Sequence, residues 1–296
     1  QVAPGPGGGG GPGDAPKVGL ITVSKPIWFY GLEALVAQIL PPKEGRLRRI
    51  AFAQLALPGH AADDATMRLP EDELGRLARA IPLWFAETFY FSPSYAPVAA
   101  VAFKKPPEGT GENHHVIFGA EWTTENLRQL VETSGDGVDY IVTGALRHVA
   151  GDYELLLRIW EVKTFRERKT FSARWTPGTA DLALAQIHAE LRAYMEWSPA
   201  SAAFAYVIPP QPRAWLDTLG ASLGLFLVEK AILPAGQLPP VAADLAQVAA
   251  RAAASEAASL AFLTLRLRAV KLGLAEPLAA TLARSPLVAQ AEKAIA

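Results

Sequence analysis

The chain has 296 residues, of which half are hydrophobic and 19% are charged, with a formal net charge of −1. This composition is typical of a globular protein with about two domains. The absence of cysteine excludes disulfides, thiolate metal sites and cysteine nucleophiles. The near-neutral charge argues against nucleic acid as a partner, because phosphate binding needs an excess of Lys and Arg. No apolar stretch is long enough for a transmembrane segment.

The amino-terminal tract, residues 1–16, consists almost entirely of glycine and proline. Such a sequence buries too little apolar surface to fold, so we expect a flexible tether. A phosphate-binding loop would need Gly-Lys-Ser/Thr at the start of a helix, and the sequence there is Asp14-Ala15-Pro16 instead. Structure is predicted to begin with a strand at Lys17–Val23 and a helix over Trp28–Leu40.

Three consecutive large aromatic residues, Trp28, Phe29 and Tyr30, follow the first strand. Successive side chains of a helix or strand point in different directions, so the three cannot all face one core. At least one of them is therefore expected to project outward. Because aromatic anchors dominate many protein interfaces, these three residues are the candidate partner-facing site.

The next segments alternate between strand and helix patterns. Arg49–Leu57 and Tyr95–Phe103 have the composition of short strands bounded by turn residues. Leu69–Phe91 has a helical apolar stripe, and Pro82 within it is expected to kink the helix or split it in two. Another helix is predicted to end at Ser134.

The most strongly patterned segment is a three-stranded meander between Tyr140 and Trp175. In its middle strand, Leu155, Leu157 and Ile159 alternate with more polar residues. This period of two predicts one apolar face that packs against helices. A helix is then expected from Ala180 to Trp197.

A composition change follows this helix. We assign residues 17–198 to an α/β domain, the proline-rich residues 199–212 to a linker, and the alanine- and leucine-rich residues 213–296 to a helical domain. The predicted fold class is α+β: a mixed α/β sheet domain with a three-stranded meander, followed by a small all-α helical domain.

The segment from residue 49 to residue 197 resembles the TolB amino-terminal-like domain family. The resemblance is carried by residues of the meander and by the order of the elements around it. The matching residues are Gly137, Val138, Tyr140, Ile141, Gly144, Leu155, Leu157 and Trp175. The sequence departs from the family at the second meander turn, where Glu161 and Thr164-Phe165-Arg166 replace the usual Asp and Thr-Gly, and Lys17–Leu40 has no counterpart. The helical tail is broadly similar to the tetratricopeptide-like extensions of some members.

The resemblance implies a non-enzymatic interaction or scaffolding protein of a bacterial, envelope-associated multiprotein assembly. Its expected partners are other protein subunits or further copies of the chain, its expected location is the periplasm, with the cytoplasm as the alternative, and no cofactor is expected. The alternative function is an enzyme, such as a hydrolase that uses the loop residues His114 and His115 with a carboxylate, Glu112 or Glu121. Adjacent histidines of an extended chain point to opposite sides, so no metal site is expected there, and the loop is expected to be exposed.

Overall fold

The computed structural model describes residues 17–43, 45–106, 111–134, 137–202 and 204–295. The strands of this part form one mixed sheet. They are β1 (Lys17–Val23), β2 (Arg48–Ala53), β3 (Tyr95–Lys105), β4 (His114–His115), β5 (Tyr140–Val149), β6 (Asp152–Glu161) and β7 (Arg166–Trp175). Their order is β1-β3-β2-β5-β6-β7, and the short β4 pairs with β3 beyond the end of β2. Strand β2 is parallel to β3 and β5, and the other pairs are antiparallel.

The helices surround this sheet and fill the carboxyl-terminal part. They are α1 (Val36–Ile39), α2 (Asp64–Met67), α3 (Glu73–Tyr90), α4 (Thr124–Ser134), α5 (Ala180–Tyr194), α6 (Pro212–Glu229), α7 (Val241–Arg251), α8 (Glu256–Lys271) and α9 (Pro286–Ala294). From residue 212 onward, the described chain contains helices and no strand. The predicted α+β class is therefore confirmed.

The two faces of the sheet differ in what covers them. On the inner face, Leu155, Leu157 and Ile159 are buried in the main core together with side chains of α3 and α5, which confirms the predicted apolar face of the meander. On the outer face, Trp122 and Leu127 cover the central strands and form a smaller core. The outer face of β6 and β7 is partly exposed.

Helix α3 is continuous through Pro82, so the expected split does not occur. Proline has no N–H to donate to the carbonyl group four residues earlier, that of Ala78. This carbonyl instead accepts a hydrogen bond from the backbone N–H of Leu55, at 3.0 Å. A loop that follows β2 thus replaces the missing helical donor and ties α3 to the sheet.

The predicted helix over Trp28–Leu40 is wrong. That segment forms two 3-10 turns, Ile27–Phe29 and Glu33–Leu35, before the short α1. Gly31, with a φ of +104°, lies between the turns in a conformation that favours glycine. The first turn is enclosed by α6 and α8.

One continuous cluster of buried side chains includes residues from both predicted domains. Helix α6 packs along α3, and α8 packs along α6. The assigned linker contributes Phe204, which contacts Trp28 with ring centroids 5.9 Å apart. The division into two separately folding domains stays a prediction, and the predicted tether at residues 1–16 lies outside the described residues.

Candidate functional site

The three predicted partner-facing aromatics do not share one environment. Trp28 and Phe29 are both 0% exposed, so the prediction that they face a partner is wrong for these two residues. The reasoning assumed an element with one side in solvent. The 3-10 turn that carries them lies between helices of the carboxyl-terminal part, and more than one of its sides therefore faces the core.

Tyr30 is the member of this group that reaches the surface. It is half-buried, and its ring lies 5.0 Å from that of Phe226. Its backbone carbonyl accepts a hydrogen bond from the Arg268 guanidinium. The residue lines a cavity of about 200 Å³ together with Glu33 and Glu229. Glu229 in this cavity is paired with Arg268 at 3.1 Å.

Trp28 is buried because its indole has a polar partner inside the protein. The indole N–H donates to Glu87 Oε2 at 2.8 Å. The other oxygen of this carboxyl group, Oε1, accepts hydrogen bonds from the Tyr206 hydroxyl at 2.9 Å and from the Trp215 indole at 3.1 Å. Glu87 is 2% exposed. The carboxyl group thus joins the first 3-10 turn, α3, the linker and α6 at one point.

A chain of hydrogen bonds continues from Glu87 towards α5. The Tyr206 hydroxyl lies 3.3 Å from Thr88 Oγ1, which lies 2.9 Å from His188 Nε2. The imidazole of His188 stacks on Trp84 with ring centroids 4.0 Å apart. Burial holds the pKa of His188 well below its ordinary value, with a smaller contribution from the nearby Arg192. This histidine is therefore neutral at physiological pH.

The protonation state of Glu87 decides which group donates each hydrogen bond in this chain. Burial raises the pKa of Glu87 to about 8, against the smaller opposing effect of its three donors. A protonated Oε1 can donate to the Tyr206 hydroxyl while it still accepts from Trp215. The Tyr206 hydroxyl then donates to Thr88 Oγ1, and Thr88 donates to Nε2 of His188. All three partners of the carboxyl group stay satisfied, so the network is compatible with a neutral Glu87.

The structure buries His114 and His115 instead of leaving them in an exposed loop, so that expectation is wrong. They form β4, and pairing with β3 places them 1% and 4% exposed. Nε2 of His115 lies 3.8 Å from Glu71 Oε2, and Glu71 is itself paired with the buried Arg79. Burial, together with Arg79 and His114, keeps the pKa of His115 well below its ordinary value. The imidazole of His115 is therefore a neutral component of a buried cluster.

Of the two carboxylates proposed as partners of these histidines, Glu112 is exposed and Glu121 is engaged elsewhere. Glu121 pairs with Arg158 at 3.0 Å on the outer face of the sheet. Glu121 lines a cavity on that face, and neither His114 nor His115 is part of its lining. In the described part of the chain, no group of three or more His, Cys, Asp or Glu side chains could hold a metal ion. Within the same ranges, no helix combines the length and apolarity that crossing a bilayer requires.

The largest of the surface cavities that we describe lies on the outer face of the meander, and its volume is about 450 Å³. Strand register arranges its lining in two rows across β5, β6 and β7. The first row is Ala145, Leu156 and Ser172, and the second row is Arg147, Glu154 and Arg174. Glu121 stands beside them. The floor is therefore small and apolar, and the rim is charged.

The charged row alternates in sign along the three strands. Arg174 pairs with Asp152 at 2.7 Å and lies 3.5 Å from Glu154, yet its side chain is 63% exposed. Arg147 is exposed and forms no ion pair with any residue that the structure describes. A concave apolar floor with available cations at its rim can receive a complementary surface. It has no paired nucleophile and base that would serve catalysis.

The Glu87 network was not predicted from the sequence, although a signal for it exists. Glu87 is the single charged residue between Arg79 and Tyr90, in a stretch that is apolar on every side of the helix. A helix of this kind is buried all round, so a carboxyl group within it needs internal donors. The cavity on the outer face forms only when three strands pair. Its only signal in the sequence is the set of β6 residues that alternate with those of the apolar face.

Comparisons with known proteins give no family. No protein-family model matches the chain. No curated protein matches it either.

Solved structures with a similar fold include TolB from Acinetobacter baumannii, with a TM-score of 0.28 and 10% identity over 63% of this chain and 33% of that one. The PelC dodecamer from Paraburkholderia phytofirmans has a TM-score of 0.27 and 10% identity over 59% of this chain and 94% of that one. The C-terminal domain of LpoB from Salmonella enterica has a TM-score of 0.23 and 10% identity over 51% and 95%. This chain thus spans about a third of the TolB structure.

Proposed function

We propose that the chain is a non-enzymatic interaction and scaffolding subunit of a multiprotein assembly in the periplasm of a bacterium. The proposal rests first on the sequence resemblance of residues 49–197 to a family of binding and scaffolding domains. Its structural support is the open outer face of the meander, where a cavity of about 450 Å³ combines an apolar floor with a charged rim. This surface is the observation that carries the proposal.

The chemistry of the remaining polar groups supports the same function. Glu87 and His188 are buried and bonded to other groups of the chain, and His115 is buried beside Glu71 and Arg79. The three hydrogen bonds of Glu87 fix distant segments of the chain to one another. The enzymatic alternative needs His114 or His115 beside a carboxylate in a substrate-accessible cavity. No arrangement of the described residues favours that alternative.

The proposal is tested by substitution on the outer face. Ser172 is exposed on β7 and lines the cavity, so Ser172→Arg fills it with little effect on the core. The tagged full chain and this variant are isolated from the encoding bacterium under mild conditions, and the size of the native complex is measured by native mass spectrometry. We expect a multiprotein complex with the unaltered chain and free chain with Ser172→Arg.

The matched control is Leu182→Arg on α5, because Leu182 is 75% exposed and lines none of the cavities described above. It should leave the complex intact. A free chain in all three preparations, or a complex that Ser172→Arg leaves unchanged, would contradict the assigned surface. Cell fractionation tests the location, and a chain found with cytoplasmic markers contradicts the periplasmic part of the proposal.

A further inference from the structure

Two cavities on opposite faces of the sheet meet at the free edge of β7. The first is the outer-face cavity of about 450 Å³. The second, of about 210 Å³, lies between β7 and one side of α5. Both are lined by Ser172, Ala173 and Arg174. The α5 side of the second cavity is formed by Ala183, Gln186, Ile187 and Glu190, whose spacing places them along one helix face.

The edge of β7 can accept another strand at this point. Among the residues that the structure describes, β7 is the last strand of the sheet, so every second residue directs its backbone N–H and C=O away from β6. The first half of β7 is protected: its register with β6 shifts at a bulge, and the Tyr194 hydroxyl donates to the carbonyl of Arg168. No backbone bond to a group outside β6 is described for residues 170–174.

A strand added at this edge would place its side chains alternately in the two cavities, because successive side chains of a strand point to opposite faces. Side chains on the outer face would extend the two existing rows. In the charged row, the side chains of Arg147, Glu154 and Arg174 alternate in sign across the strands. An acidic residue would therefore fit best at the next position of this row, on the added strand. The other row ends at Ser172 beside Leu156 and calls for a β-branched or other apolar residue.

We propose that the groove between β7 and α5 binds an extended, acidic segment of a partner protein by strand addition to Ser172–Arg174. This inference deepens the proposed function and rests on it. Main-chain hydrogen bonds to β7 hold the segment, and the alternation of an acidic and an apolar residue in the outer cavity selects it. The residue between them faces Gln186 and Glu190 on α5.

Charge decides between such a segment and a second copy of this chain. Strand β7 carries four basic residues, Arg166, Arg168, Lys169 and Arg174, and one acidic residue, Glu167. Pairing of β7 with itself would set one basic strand against another, which is unfavourable across a strand pair. The amino-terminal tract of the same chain contains one acidic residue, Asp14, among glycines and prolines, and proline cannot donate in a ladder.

The test uses an unbiased library of linear peptides of about a dozen residues, displayed on phage and selected on the full chain. We expect enriched peptides to carry an acidic residue two positions from a β-branched residue. A synthetic enriched peptide should bind about tenfold more weakly to Arg174→Glu and to Gln186→Trp, since each variant removes a different contact of the groove. Leu182→Arg, on α5 but outside the groove, should bind as the unaltered chain does.

Two further measurements locate the peptide. Hydrogen exchange of the amides in residues 170–174 should slow on binding, and a peptide with the acidic residue changed to arginine should regain affinity for Arg174→Glu. Protection at another edge such as β1, no enriched peptide, or binding indifferent to both groove variants overturns the proposal. So does a dimer in analytical ultracentrifugation that Gln186→Trp abolishes, because the occupant is then a second copy. If no peptide binds but Ser172→Arg still releases the native complex, strand addition fails while the interaction function stands.

Discussion

Replacing Glu87 with glutamine is expected to remove a pH dependence of unfolding between about pH 6.5 and 8. In the native protein, burial raises the pKa of Glu87 from 4.5 to about 8. In this interval the native state therefore holds a proton that the unfolded state has lost. Stability falls as pH rises wherever the native state binds more protons, by about 1.4 kcal/mol per pH unit for one group. Glu87 should thus cost the native state about 2 kcal/mol between pH 6.5 and 8, and nothing further above pH 8.

Glutamine preserves the size of the side chain but not its hydrogen bonding. If its carbonyl oxygen takes the place of Oε1, its amide group faces the indole N–H of Trp28. If the carbonyl oxygen takes the place of Oε2, the amide group faces the indole N–H of Trp215. Two donors face each other in both orientations. We expect Glu87→Gln to be less stable than the unaltered chain by about 1–3 kcal/mol at pH 6.5, the cost of an unsatisfied buried donor.

Urea unfolding of the full chain, followed by circular dichroism at several pH values, measures both effects. The control is Glu292→Gln, which makes the same change on an exposed side of α9. His115 lies outside the Glu87 chain, whereas His188 ends it, so the difference between the curves reports on Glu87 together with its hydrogen-bonded chain. If the curves of the unaltered chain and Glu87→Gln run parallel from pH 6.5 to 8, Glu87 does not titrate there and the neutral network is wrong.

Three other predictions concern the meander and the amino-terminal tract. Leu157→Ala should destabilise the protein by about 2–5 kcal/mol, because Leu157 is buried on the inner face, and an unchanged melting temperature would contradict the strand register. Gly144→Ala should prevent the meander from forming as described, since an added Cβ would lie 2.1 Å from the Leu156 carbonyl oxygen; a native-like melting curve would refute this. Deletion of residues 1–16 should leave the melting temperature unchanged. A decrease of more than about 1 kcal/mol in the free energy of unfolding would show that the tract is docked.

The meander could be predicted because its signal is local. The alternation of Leu155, Leu157 and Ile159 with Glu154, Leu156, Arg158 and Trp160 leaves one wholly apolar face, as in a half-buried strand, and neighbouring turns fix the register. The longer strands and helices from β2 to α5 follow from similar local patterns, whereas the short α2 and β4 do not. Helix α3 was predicted to kink or split at Pro82. The helix is continuous, and the backbone N–H of Leu55, which replaces the missing donor, reaches the Ala78 carbonyl only in the folded chain.

The burial of Trp28, Phe29 and the two adjacent histidines could not be predicted in the same way. Trp28 is covered by residues that follow it by more than a hundred positions, and its carboxylate partner is 59 positions away. His115 is buried because β4 reaches β3 and because Gln237 accepts a hydrogen bond from its backbone N–H at 3.1 Å. A local pattern states which side chains share a face of an element, but it does not state how many faces are later covered.

The distribution of polar groups separates the inside of this protein from the surface proposed for recognition. A catalytic site needs groups that are shielded from bulk water on one side and reachable by substrate on the other. The shielded groups here, Glu87, His188 and His115, are held by other parts of the same chain. The reachable groups include two arginines of the outer face: Arg147, which forms no ion pair with any residue that the structure describes, and Arg174, which is mostly exposed beside an edge strand. Charges so placed can match the charges of another surface, and this is the physical argument for the recognition proposed at β7.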